Sequence, residues 1–134
     1  MLLDTGFIVA LLDRSEQHHG QCADLLADLA APLITCEAVI AEACYLLRGL
    51  QGTAAALLLN VERGNFVVPY RLTGNTAAVI KLIKKYANVP MDLADACLVD
   101  MASVYDTGRI LTLDRDFQIY RWARNRAFEL LLDI

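Results

Sequence analysis

Short, wholly apolar runs alternate along this chain with longer stretches in which apolar residues recur three and four positions apart. These are the signatures of buried strands and amphipathic helices. Residues 1–3 read as a first strand ending at Asp4, and a helix follows from Gly6 to Leu12. Cys22, Leu25, Leu26 and Leu29 share one face of a second helix over about 16–30, closed by Pro32. Leu33-Ile34-Thr35 is the second strand, followed by helices over about 37–48 and 52–63 that end at Gly49 and Gly64-Asn65. Phe66-Val67-Val68 gives the third strand. The helix over about 73–87 turns Val79, Leu82, Ile83 and Tyr86 inward and Lys81, Lys84 and Lys85 outward. A further helix spans about 92–106, between Pro90 and Gly108, and Ile110-Leu111-Thr112 is the fourth strand. A helical turn over 115–120 then leads through an Arg-rich connection to a fifth strand over 128–132.

Strands separated by helices imply a parallel sheet with right-handed crossovers. The expected fold is α/β, a three-layer α/β/α arrangement with a central parallel sheet of about five strands. Composition agrees: 57% of residues are apolar, against roughly 45–50% in ordinary soluble domains, as expected when both sheet faces are covered. The 134 residues suit one domain spanning 1–134, with no linker, repeat or low-complexity tract. No apolar stretch approaches the ~20 residues needed to cross a bilayer. Met1 is followed directly by Leu-Leu-Asp, without a secretory leader. A cytoplasmic protein without a membrane association is expected. Cys22, Cys36, Cys44 and Cys97 form no CxxC pair and fall in apolar helical patterns, which reads as reduced core thiols.

Sixteen acidic and twelve basic residues give a net charge of −4. That argues against a protein holding nucleic acid by a broad basic surface. It is compatible with a carboxylate cluster whose negative charge a metal offsets.

In parallel sheets, sites form beyond the carboxyl ends of the strands. Asp4 ends the first strand there, Asp114 and Asp116 follow the fourth, and Glu42 and Asp95 lie on helices that start near the same edge. Glu42 has Ala38, Val39, Tyr45 and Leu46 as helical neighbours, so it points from an apolar face. Unpaired there, it would be costly or protonated, and the structural alternative is pairing with an Arg or with backbone amides. Asp95 sits in the first turn of its helix among apolar residues, where the helix dipole favours negative charge. Asp92 shares that face and reads as the N-cap after Pro90. Asp100 and Asp106 read as solvated or helix-end residues. An acidic rim without interleaved His or Cys suits a hard cation with oxygen ligands. His18 and His19 lack the company of a zinc site and are expected exposed at a loop–helix junction. Two ions roughly 4 Å apart would clamp the attacking and leaving oxygens of an in-line phosphoryl displacement.

Four segments then carry a family resemblance. They are Leu2-Leu3-Asp4-Thr5-Gly6 with Ala10-Leu11-Leu12-Asp13, Thr35-Cys36-Glu37-Ala38-Val39-Ile40-Ala41-Glu42, Asp92-Leu93-Ala94-Asp95-Ala96 with Ala102, and Ile110-Leu111-Thr112-Leu113-Asp114-Arg115-Asp116-Phe117. In order and spacing, from Met1 to about Tyr120, the chain resembles the PIN-domain family, which includes the VapC-type toxins of bacterial toxin–antitoxin pairs. The resemblance implies that Asp4, Glu42, Asp95 and Asp114 are metal-binding catalytic acids, with Asp116 assisting and Thr112 supplying a hydroxyl that orients the site. It further implies a Mg²⁺- or Mn²⁺-dependent ribonuclease, a homodimer, and a small antitoxin as partner.

Arg115, Arg121, Arg124 and Arg126 are candidate phosphate contacts near the fourth strand, or else solvated charges on the C-terminal segment. Three rival readings compete with this one. Asp4-Thr5-Gly6 also spells an aspartic-protease triplet, but that chemistry needs a second copy on a β-rich scaffold. A phosphatase with Asp4 as nucleophile lacks the second acid two residues on. The remaining alternative is a catalytically silent PIN-like module acting through a protein partner.

Overall fold

The computed structural model describes residues 1–132; Asp133 and Ile134 lie outside the described residues. In chain order its elements are β1 (Leu2–Leu3), α1 (Thr5–Leu12), α2 (His19–Ala27), β2 (Leu33–Ile34), α3 (Glu37–Leu46), α4 (Thr53–Glu62), β3 (Phe66–Val67), α5 (Thr76–Lys85), α6 (Leu93–Val104), β4 (Arg109–Leu111), a 3₁₀ turn (Arg115–Gln118), β5 (Arg121–Trp122), β6 (Arg126–Ala127) and β7 (Glu129–Leu130). Five strands form one sheet in the order β3-β2-β1-β4-β7, every pairing parallel. Helices cover it in the expected three-layer α/β/α arrangement.

The sheet starts in its own middle. β1 is central, the chain builds β2 and β3 outward on one side, then returns through α5 and α6 to lay β4 on the other. The switch point therefore lies between β1 and β4, where parallel sheets open a crevice. Both residues of β1 are fully buried, as are Ile110 and Leu111 of β4. α6 is the central helix: every residue from Ala94 to Ala102 is buried, and it packs on α5, α3, β1 and β5. A helix apolar nearly all round belongs in an interior.

Strand and helix bounds are narrower than the sequence pattern predicts. α2 starts at His19 because the preceding residues spend their polar groups on a turn. Asp13 accepts from the Ser15 amide and hydroxyl at 3.0 and 2.6 Å, and Glu16 accepts from the His18 amide at 2.6 Å. His18 and His19 are half-buried rather than exposed, and His19 Nδ1 lies 2.7 Å from the Ala10 carbonyl. On α5, Val79 and Tyr86 are buried, but Ile83 is exposed because it falls at the edge of the packed stripe. Asp100 is buried rather than solvated and accepts a 2.7 Å hydrogen bond from the Tyr70 hydroxyl. All four cysteines are free, and Cys22, Cys36 and Cys97 are buried.

The Arg-rich connection holds a hairpin that the sequence does not announce. β5 and β6 pair antiparallel, Trp122 opposite Arg126. The turn places Ala123 at φ 52° and Asn125 at φ 117°, a left-handed region rare for alanine. Trp122 holds it down. Its indole donates to the Ala127 carbonyl at 3.1 Å and packs so closely on Gly108 that a Cβ there would collide with Nε1.

Candidate metal centre

The register of β1 and β4 sets the first contact of the site. Leu3 pairs with Leu111 and the Asp4 amide donates to the Leu111 carbonyl at 3.0 Å, so Asp4 and Thr112 emerge side by side. The Thr112 hydroxyl donates to Asp4 Oδ2 at 2.6 Å and accepts from the Asp114 amide at 2.9 Å. One buried hydroxyl thereby ties the ends of two strands together. Asp4 also N-caps α1, its Oδ1 accepting from the Thr5 amide at 2.7 Å.

Asp95 comes from the other side of the crevice. Asp92 N-caps α6 by accepting from the Asp95 amide at 2.8 Å, which fixes the first turn. Tyr120, fully buried, donates its hydroxyl to Asp95 Oδ2 at 3.2 Å. Asp114 begins the 3₁₀ turn and accepts from the Asp116 amide at 2.9 Å. Glu42 reaches in from α3, half-buried. Its helical neighbours Tyr45 and Leu46 are exposed, so its face is the mouth of the site rather than the core.

These side chains line one open depression of about 410 Å³ with Thr5, Gly6, Leu46 and Leu113. Its carboxylates are Asp4, Glu42, Asp92, Asp95 and Asp114, and no cation is among the lining residues. Setting those five aside leaves eleven acidic residues against twelve basic ones. The net acidity of the chain is therefore the acidity of this site.

The electrostatic consequence is a set of acids that bind protons too tightly. Burial pushes Asp4 up to about 6; hydrogen bonds from Thr112 and Thr5 oppose the rise, and Asp114 and Glu42 add to it. Asp95 is pushed up to about 7, by burial first and then by Asp92, Asp4 and Asp114. Asp114 is raised by burial and by its neighbours Asp116 and Asp92. Glu42 is raised by burial and by Asp92 and Asp114, against a lowering from the Thr5 hydroxyl, which lies near it without reaching hydrogen-bond geometry. These shifts measure repulsion and desolvation that a divalent cation would relieve.

Does the site fit such a cation? Its donors are all oxygens, the set a hard ion requires. Thr5 Oγ1 on its wall is buried without a hydrogen-bond partner among the described residues. Both features fit. Among the described residues no three His, Cys, Asp or Glu side chains are drawn together as around an ion; Asp4, Asp95 and Asp114 rest on Thr112, Tyr120 and backbone amides.

Of the residues singled out from sequence, Asp4, Glu42, Asp95 and Asp114 meet at this depression, with Thr112 behind Asp4. Asp116 stands beside it, near enough to raise Asp114, but is not on its wall. None of the arginines is on its wall. Arg121 lines a different cleft, Arg124 is exposed on the hairpin turn, Arg126 stacks on Trp122 and faces Asp106 at 3.5 Å, and Arg115 is exposed on the 3₁₀ turn. Sequence reasoning missed Tyr120 and gave Asp92 only its capping role. The three-residue spacing of Asp92 and Asp95 was the available signal for the second, and nothing local signals the first.

Fold and site together define a parallel α/β protein with an all-oxygen acidic centre at its topological switch point. The sequence matches the PIN domain family over residues 1–123, and the chain belongs to that family. It is 29% identical over 117 residues to the ribonuclease VapC26 of Mycobacterium tuberculosis, covering 86% of this chain and 87% of that protein. The crystal structure of VapC20 from the same organism, described as a sarcin–ricin loop cleaving toxin, superposes with a TM-score of 0.82 at 19% identity. That match covers 93% of this chain and 98% of the other, and it carries the fold.

Proposed function

We propose that this protein is a Mg²⁺- or Mn²⁺-dependent endoribonuclease and the toxin of a toxin–antitoxin pair, acting in the cytoplasm. The observation that carries the reading is the convergence of Asp4, Glu42, Asp95 and Asp114 on one depression at the carboxyl edge of the sheet. The likeness to a ribonuclease over most of both chains supports RNA as substrate.

Asp4, Glu42, Asp95 and Asp114 would hold the metal, with Asp92 within reach and Asp116 adjusting Asp114. A bound divalent ion supplies an acidified water and neutralises charge developing on the phosphate. The chain's own work is positioning. Thr112 donates to Asp4, which favours its charged form and fixes the rotamer. Tyr120 does the same for Asp95 from the core side. Without a cation the five carboxylates repel a phosphodiester, so the scissile phosphate enters this depression only with metal bound.

Tyr45, Leu46, Leu50, Leu58 and Leu59 are exposed apolar residues on and between α3 and α4. They support a protein partner on that side, the role a small antitoxin or a second copy would fill. The same patch suits the silent binding module, and one experiment separates the readings. Wild type and Asp95→Asn are incubated with a mixed structured RNA and Mn²⁺, beside a chelator control. Cleavage by wild type alone, abolished by chelation, supports the nuclease. Metal binding without cleavage of any RNA favours the silent module.

A further inference from the structure

A second cleft, of about 310 Å³, lies between α5, the later turns of α6 and the start of the hairpin. Its wall carries Lys81, Lys85, Arg121, Ser103, Trp122 and Asp100. Three cations thus face one another in a protein of net charge −4. Lys81 and Lys85 are one helical turn apart on the same face of α5. Arg121 is pre-ordered: Nη1 donates to the carbonyls of Gln118, Ile119 and Tyr120 at 2.7, 3.2 and 2.9 Å, and its amide donates to the Tyr86 hydroxyl at 2.9 Å. Among the described residues the ion pairs are Arg109–Glu129 and Arg126–Asp106, so none of the three cations has a carboxylate within 4 Å. The single acid on the wall, Asp100, is committed to the Tyr70 hydroxyl.

The cleft is built for phosphate rather than for bases. Trp122, its one large aromatic ring, is only 5% exposed and is already stacked by the Arg126 guanidinium at 4.1 Å, which leaves little of it for a base. Cations without a stacking platform read charge, not sequence. The cleft is also coupled in space to the acidic depression. Tyr120 places its hydroxyl on Asp95, and the next residue, Arg121, lines the cleft. Along α6 the eight steps from Asp95 to Ser103 span roughly 12 Å at ~1.5 Å per residue. At ~3.4 Å per stacked nucleotide, that is about four nucleotides of one strand.

We propose that the Lys81–Lys85–Arg121 cleft is a phosphate-binding subsite that holds the backbone of the RNA strand a few nucleotides from the bond cut at the acidic depression. The inference rests on the nuclease reading. It also answers the difficulty that reading raises: an acidic centre repels RNA until metal binds, and a separate cationic subsite captures the strand meanwhile.

The test compares two variants of equal charge change on one exposed helix face and its neighbour. Lys81→Gln/Lys85→Gln removes two cations from the cleft; Lys84→Glu makes the same change in net charge beside it. Binding of a labelled single-stranded RNA is followed by fluorescence anisotropy in EDTA over a salt series, and KM for the same RNA is measured with Mn²⁺. The double variant should bind about 10-fold more weakly, with a log–log salt slope reduced by about 1.4. KM should rise in proportion, and Lys84→Glu should stay within about threefold of wild type in both assays. Equal effects of the two variants, with wild type cutting RNA, overturn the subsite alone. A wild type that neither binds nor cuts RNA overturns the subsite and the nuclease reading together. Binding of poly-glutamate that outcompetes RNA and depends on Lys81 and Lys85 also overturns it, and assigns the cleft to an acidic polypeptide.

Discussion

Asp95 and Asp100 are buried acids five residues apart on one helix, and their surroundings could hardly differ more. Among the described residues Asp100 has one hydrogen-bond donor, the Tyr70 hydroxyl at 2.7 Å, and no other carboxylate shares its wall. Asp95 has a hydroxyl too, from Tyr120 at the longer distance of 3.2 Å, but burial first, and then the charges of Asp92, Asp4 and Asp114, push it up to about 7. Burial alone does not mark a functional acid, because one good partner satisfies it. Like charges gathered where a strand edge opens are costly in the absence of something bound, and that cost is the sign of a site.

The contrast breaks most directly under substitution. Asp95→Asn should lower RNA cleavage by about 10³-fold while the protein stays folded, as read by initial rates and circular dichroism. Its counterpart, Tyr70→Phe, should leave cleavage near wild type but cost about 1–3 kcal/mol in chemical denaturation, since Asp100 loses its donor. A large loss of cleavage in Tyr70→Phe with unchanged stability would erase the distinction.

Thr112→Val removes the link between the strand ends, a donor to Asp4 and an acceptor for the Asp114 amide. Activity should fall roughly 10–100-fold, the size seen when a ligand loses its supporting hydrogen bond. Retention of full activity would mean that Asp4 needs no orientation.

The pH dependence of stability sharpens the same point. Asp4 and Asp95 bind protons more tightly in the folded chain than their ordinary value of 3.8, at about 6 and about 7. The folded state therefore holds more protons between those values, and stability falls as pH rises from about 4 to about 7. Metal-free protein should show that fall in denaturant midpoints, Mn²⁺ should reverse it above pH 7, and Asp95→Asn should flatten it. A metal-free protein whose stability rises across this window would contradict the assigned shifts. Smallest of all, Tyr120→Phe should weaken Mn²⁺ binding by about threefold in calorimetry, the worth of one long hydrogen bond at 3.2 Å.

Much of this was legible along the chain because strand ends and helix caps are local events. An acid after an apolar run of three, or three residues into a helix behind Pro90, announces its own position. The parallel order of the strands then brings Asp4, Glu42, Asp95 and Asp114 to one edge. What lay hidden depends on contacts distant in sequence. Tyr120 reaches Asp95 across twenty-five positions and Tyr70 reaches Asp100 across thirty. The hairpin turns at Ala123 and Asn125 without a glycine or proline and is pinned by Trp122 against Gly108, so Asn125 alone hints at it. An arginine in sequence has a charge but no direction. Arg121 is held by the carbonyls of the 3₁₀ turn and points into the Lys81–Lys85 cleft, away from the acids.

The central claim is that the five-carboxylate depression holds a divalent ion. A crystal soaked in Mn²⁺ and measured for anomalous scattering tests it directly. The account predicts a peak bounded by carboxylate oxygens of Asp4, Glu42, Asp95 and Asp114, lost in Asp95→Asn. A crystal with no peak there, or with its strongest peak at another acidic patch, would contradict it.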